Sequence, residues 1–169
     1  MITAERIYDH DLIKSIMTSP DLWATVAEDG HSPASFTCDT ETECWLLMTN
    51  GEDVVGIYNI HGINAVTCEI HAQVIPEHRE QHSYGTGRAA LEWIFNNTPD
   101  YKKVIAQIPV VFENVKNFTC QFGFQVEGIN RLSYLKDGAI VDQWLLGITR
   151  EEIGQFINSQ LPPKRMTGG

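Results

Sequence analysis

The run from Asn64 to Val111 constrains the fold more than any other part of the chain. It opens with NAVTCEIHAQVI, a strand on which Glu69, His71 and Gln73 share one face and Ile70, Ala72 and Val74 the other. A polar segment containing Gly85 and Gly87 follows. GRAALEWIFNN is then a good helix former through its Ala, Leu and Glu content, and KKVIAQIPVV reads as a buried strand with Pro109 near its end. A β-α-β unit of this kind is most economically housed in a sheet with helices packed on its faces.

The flanking segments fit such a sheet. After a short extended start, DHDLIKSIMTS and PDLWATVAED carry helical spacing, with Asp11 and Asp21 near their beginnings. ECWLLMTN and GEDVVGIYNI are apolar runs separated by Asn50-Gly51, a hairpin by turn chemistry. ENVKNFTCQF predicts a short helix ended by Gly123, with Val115, Phe118 and Phe122 on one buried face. FQVEGINRLSYL, KDG and AIVDQWLLGI predict a closing hairpin. TREEIGQFINSQ predicts a capped helix with Glu151 and Glu152 in its first turn. The expected class is α/β, in the α+β sense of a mixed, mostly antiparallel sheet flanked by helices. A length of 169 residues suits one domain, expected over 1–160, with LPPKRMTGG as a flexible tail over 161–169.

Composition narrows the function classes. The formal net charge of −10 repels phosphodiester backbones, so direct nucleic-acid binding is disfavoured. The same field favours cationic substrates such as amines, polyamines or lysine-rich segments, unless it serves solubility alone. No apolar run is long enough for a membrane span, and MITAERIYDHD carries charges where a signal peptide needs apolar residues. A cytoplasmic protein with no membrane partner is therefore expected. Cys38, Cys44, Cys68 and Cys120 show no Cys-x-x-Cys pairing and read as reduced thiols.

Three chemistries compete for IPEHREQHSYGTGRAALE. His78 and His82 have the i, i+4 spacing of a helical zinc pair, but Arg79 stands where a metalloprotease needs Glu, and no third ligand follows; no metal is expected. Gly85-Thr-Gly87-Arg-Ala-Ala90 matches a dinucleotide fingerprint. However, about nine polar residues separate it from the strand, and Gln107 stands where the ribose acid belongs. A third reading is an anion cradle at a helix N-terminus, with Gly85 and Gly87 admitting a phosphate to the main chain and Arg79 and Arg88 adding charge, unless the glycines simply serve a tight loop.

VIPEHREQHSYGTGRAALEWIF resembles the acetyl-CoA motif of the GNAT superfamily of N-acetyltransferases. In that motif a strand ends in Val-x-Pro-Glu, and Arg/Gln-x-x-Gly-x-Gly/Ala wraps a pyrophosphate. Val74-Ile75-Pro76-Glu77 and Gly85-Thr86-Gly87 carry the match. His82 replaces the usual Arg or Gln, with Arg79 or Gln81 as substitutes, and the loop is about two residues longer. NVKNFTCQFGFQVEG is similar to the family's second signature, a helix running into Gly-Phe, here Gly123-Phe124, with the usual Asn displaced to Asn114. The two signatures and the elements between them span roughly residues 40 to 147.

The resemblance implies a GNAT-like fold and transfer of an acetyl group from acetyl-CoA to a primary amine, in which the amine attacks the thioester carbonyl and the thiolate leaves. It implies that the main chain of Gln73, Val74 and Ile75 pairs with pantetheine. The amides of Ser83, Tyr84, Gly85, Thr86, Gly87 and Arg88 would hold the diphosphate, with Arg79, His82 and Asn114 adding contacts. Bulk at Gly87 is then expected to block the ligand without harming the fold. Glu69 is the candidate general base and His71 the second choice. Thr119 stands where many members carry a Tyr that protonates the thiolate, so Tyr134 or Tyr84 is the candidate acid. The rival expectation is a catalytically weakened GNAT-like binding or assembly protein. Small acidic proteins of this look suggest a phage source, hence a host cytoplasm, and a homodimer is a candidate assembly.

Overall fold

The computed structural model describes residues 1–159, so the tail expected over 161–169 lies outside the described residues. β1 (Ile2–Ile7) leads to α1 (His10–Met17) and α2 (Pro20–Val26), followed by β2 (Glu43–Asn50), β3 (Asp53–Gly62) and β4 (Thr67–Val74). α3 (Arg79–Asn97), β5 (Lys103–Pro109), α4 (Glu113–Cys120), β6 (Gln125–Lys136), β7 (Ala139–Thr149) and α5 (Arg150–Asn158) complete the order. The seven strands form one sheet, β1-β2-β3-β4-β5-β7-β6, antiparallel except where β4 meets β5.

Local chemistry sets the hairpins. Gly51 takes φ 64° just after Asn50, and Asp137 and Gly138 take φ 51° and 77° between β6 and β7. These are left-handed values that match the twist of paired strands. Alternation along the central strands then sorts side chains to two faces. Trp45 and Ile57 pack under Ile13, Met17 and Leu22 of the two N-terminal helices. Leu46, Tyr58, Val104, Leu146 and Ile148 point the other way, onto Leu91 and Ile94 of α3 and Ile153 of α5. α4 departs from its expected pattern: Val115 is exposed and Phe118 half-buried, while Phe122, just past the helix, carries the burial.

One irregularity positions everything that follows. The parallel ladder between β4 and β5 lasts three pairs, Thr67 with Lys103, Cys68 with Val104 and Glu69 with Ile105. β5 stays paired with β7 along its whole length, whereas β4 turns away toward α3. Just past Glu69 the two strands no longer pair.

α5 is fixed by a reciprocal cap. Thr149 Oγ1 accepts from the Glu152 amide at 3.3 Å, and Glu152 Oε2 accepts from the Thr149 amide at 2.8 Å. Thr149→Ala is expected to cost about 1 kcal/mol and lower Tm by roughly 2–4 °C, measured by thermal denaturation.

Candidate active site

The β3–β4 register brings His61 opposite Glu69 and Asn59 opposite His71. Glu69 is 7% exposed, and its carboxylate is approached by two imidazoles and one amide. His61 Nε2 lies 3.3 Å from Oε2, and His71 Nε2 lies 3.8 Å from Oε1. Gln107 Nε2 donates to Oε1 at 3.2 Å, and Asn130 Nδ2 fixes Gln107 by donating to its Oε1 at 3.1 Å. The two imidazoles stack, 5.3 Å apart and 8° from parallel. Beside them Asn59 donates to Glu43. Burial lowers the pKa of His71, partly opposed by the charge of Glu69 and reinforced by His61. The expected pairing of Glu69 and His71 on one face is therefore present, where β4 and β5 cease to pair. Their strand spacing alone did not bring in His61, Gln107 and Asn130, which arrive from other strands.

The expected phosphate cradle is built differently. Ile75 leads into a 3-10 turn over Pro76–His78, and α3 begins at Arg79, so no open loop separates the strand from the glycines. Within the helix the amides of Ser83 through Arg88 bond to carbonyls four residues back and are not free for a ligand. Helix start signals were present ahead of the glycines: Pro76, then Glu77 and Glu80 in the first turns. Gly85 and Gly87 serve packing. A Cβ at Gly85 would lie 2.9 Å from Ile2 Cγ1, and one at Gly87 would lie 2.5 Å from the Phe122 ring. Thr86 is wholly buried, its hydroxyl 2.9 Å from that of Tyr58 beneath the sheet. Tyr84 stacks on Phe122, which places it in the aromatic core.

Both arginines assigned to the cradle are engaged within the protein. Arg79 donates through Nε to the Val74 carbonyl at 3.0 Å and through Nη2 to Thr25 Oγ1 at 2.8 Å. Arg88 donates to the Ile157 carbonyl and pairs with Glu92. On the pantetheine edge, the Val74 carbonyl is thus taken by Arg79, and the Ile75 amide donates to the Val55 carbonyl at 2.9 Å; Gln73 is half-buried on β4. His82 lies beside His78, ring centroids 5.7 Å apart. Asn114 is exposed near the start of α4. Tyr134 is half-buried on β6 opposite Val141, and burial raises its pKa, with Glu28 and Asp29 adding to the shift. Asn130, four residues before it, is the β6 side chain that reaches the Glu69 network.

A family profile described as "Protein of unknown function (DUF2824)" matches residues 9–159. The chain belongs to the DUF2824 family. No curated protein matches this DUF2824 sequence. Among solved structures, a spermidine N-acetyltransferase from Vibrio cholerae in complex with CoA and spermine is similar, with a TM-score of 0.73 at 14% identity over 90% of this chain and 97% of that one. The spermidine/spermine N-acetyltransferase SpeG from Vibrio cholerae in complex with manganese ions superposes with a TM-score of 0.70 at 15% identity, over 91% and 95% of the two chains. The DUF2824 chain therefore has the GNAT acetyltransferase fold, a mixed seven-stranded sheet flanked by helices. No helix among its described residues is long and apolar enough to cross a membrane.

Proposed function

We propose that this DUF2824 protein is an N-acetyltransferase that moves an acetyl group from acetyl-CoA to a primary amine of a small molecule or protein, with residues 1–160 acting as one catalytic domain. The observation that carries the reading is a buried carboxylate, Glu69, at the point where strands β4 and β5 part, in a fold whose solved neighbours include acetyltransferases. In this mechanism Glu69, with His71 as the second acceptor, takes a proton from the substrate ammonium. The freed lone pair attacks the thioester carbonyl, the C–S bond breaks, and the departing CoA thiolate takes up the excess proton left on the nitrogen, giving the amide and CoA thiol. Gln107 holds the carboxylate, and Asn130 holds Gln107. The diphosphate is assigned to the first turn of α3 past Arg79, whose own amide donates to the Pro76 carbonyl, more than one turn ahead of Gly85. A net charge of −10 suits a cationic acceptor, as does the spermine held by the Vibrio cholerae neighbour.

A second reading is favoured by a specific observation, the enclosure of Gly85 and Gly87 within α3. It makes the chain a catalytically weakened binding or assembly protein that keeps the fold and not the cofactor grip.

Acetyl-CoA titration separates the two. At about one hundred times Kd the ligand is expected to stabilise the protein by about 2.7 kcal/mol, raising Tm by roughly 5–10 °C. Release of CoA thiol with a panel of amines then identifies the acceptor. An unchanged Tm across the soluble range of acetyl-CoA would sink the acetyltransferase reading.

A further inference from the structure

We infer that His61, Glu69 and His71 form a binding site for a zinc-class divalent metal ion, ligated by the two imidazole Nε2 atoms and the Glu69 carboxylate. One ligand atom from each lies within 4.8 Å of the others. His61 lies 3.3 Å from Oε2, within the roughly 3.3–3.5 Å that bonds of about 2.0–2.2 Å set between donors in a tetrahedral zinc site. His71 lies 3.8 Å from Oε1 and closes in by a few tenths of an ångström when the ion binds. Two histidines and one carboxylate also match a donor set used by zinc enzymes, which leaves a fourth position for water. The side chains of His61 and His71 are 30% and 45% exposed, which gives that position and the ion a route from solvent.

Charge supplies an independent argument. A carboxylate as deeply buried as Glu69 ordinarily needs a cation beside it. Among the described residues no Lys or Arg forms an ion pair with Glu69; its charged-type neighbours are the two imidazoles. A divalent ion would supply the missing positive charge. The donors sit on paired strands β3 and β4, and the Asn130–Gln107 chain orients the carboxylate from outside, the arrangement that holds a metal ligand in place. The pair singled out by helical spacing, His78 and His82, has no such third ligand among the described residues.

Metal binding stands apart from acetyl transfer, because it is measured with no CoA present. Chelator-stripped protein is titrated with zinc by calorimetry, and with cobalt by visible absorption. One ion per chain is expected, with a cobalt spectrum of nitrogen and oxygen ligation. Glu69→Gln, His61→Ala and His71→Ala should each weaken binding by at least about tenfold, and Gln107→Ala by about 10- to 100-fold through the loosened carboxylate. His82→Ala should leave affinity unchanged, and thermal melts verify that each variant is folded. Absence of saturable binding, affinity that survives Glu69→Gln together with His71→Ala, or a thiolate-to-cobalt absorption band would each overturn the assignment.

Discussion

Replacing Glu69 with Gln is expected to slow acetyl transfer by about 10²- to 10⁴-fold at saturating acetyl-CoA and amine. The substitution keeps the shape of the side chain and removes the group that accepts the proton. Its surroundings make it a clean test. His61, His71 and Gln107 all face the carboxylate, so the side chain is held from three directions. The stabilisation given by acetyl-CoA should be unaltered, because the first turn of α3 lies beyond the end of β4, away from residue 69. The assay is run with chelator, so that a metal held by the same carboxylate does not mask the result. A variant that keeps its rate within about threefold of the parent removes Glu69 from the chemistry.

Gly87→Trp is expected to destabilise the fold by at least about 2 kcal/mol and to lower Tm by roughly 4–8 °C or more. The reason lies in what surrounds the missing side chain. A Cβ at residue 87 would lie 2.5 Å from the Phe122 ring. That ring is 4% exposed and wedged among Tyr84, Phe118 and Phe156, with centroids 5.3, 5.1 and 5.4 Å away. It has little room to retreat. Gly in a helix interior costs about 1 kcal/mol relative to Ala, so any other residue recovers part of that amount. An indole driven into a filled aromatic cluster loses more than the helix gains. The expectation that bulk at Gly87 would leave the fold intact is thereby corrected, and loss of ligand binding in this variant would report unfolding. Urea denaturation reads the effect as a lower midpoint at unchanged m-value; a midpoint equal to the parent's would refute the packing role.

The parts legible in the sequence were those whose chemistry is local. Asn50-Gly51 and Asp137-Gly138 announce hairpins because left-handed backbone selects those residues, and the Thr149–Glu152 spacing announces a cap. Gly85 and Gly87 misled for the opposite reason. Their low helix propensity signals a loop, and only the distant rings and side chains packed against them, Phe122 and Ile2, explain glycine in mid-helix. His61 was missed because it is eight residues from Glu69 along the chain and becomes its neighbour only across the β3–β4 pairing. The symmetry of that hairpin was available as a signal. Folding about the short loop at 63–66 sets His61 against Glu69 and Asn59 against His71. Nothing comparable marks Gln107 and Asn130, which reach the carboxylate from strands that join the sheet through a crossover and a distant hairpin.

The hold of Arg79 on the Val74 carbonyl changes the thermodynamics of any guest laid along the β4 edge. Such a guest would displace a charge-assisted donor from an oxygen that is already satisfied. The net enthalpy there is a trade of partners, near zero, and the released guanidinium still rests on Thr25 of α2. The end of β4 therefore contributes alignment to an extended ligand and little affinity.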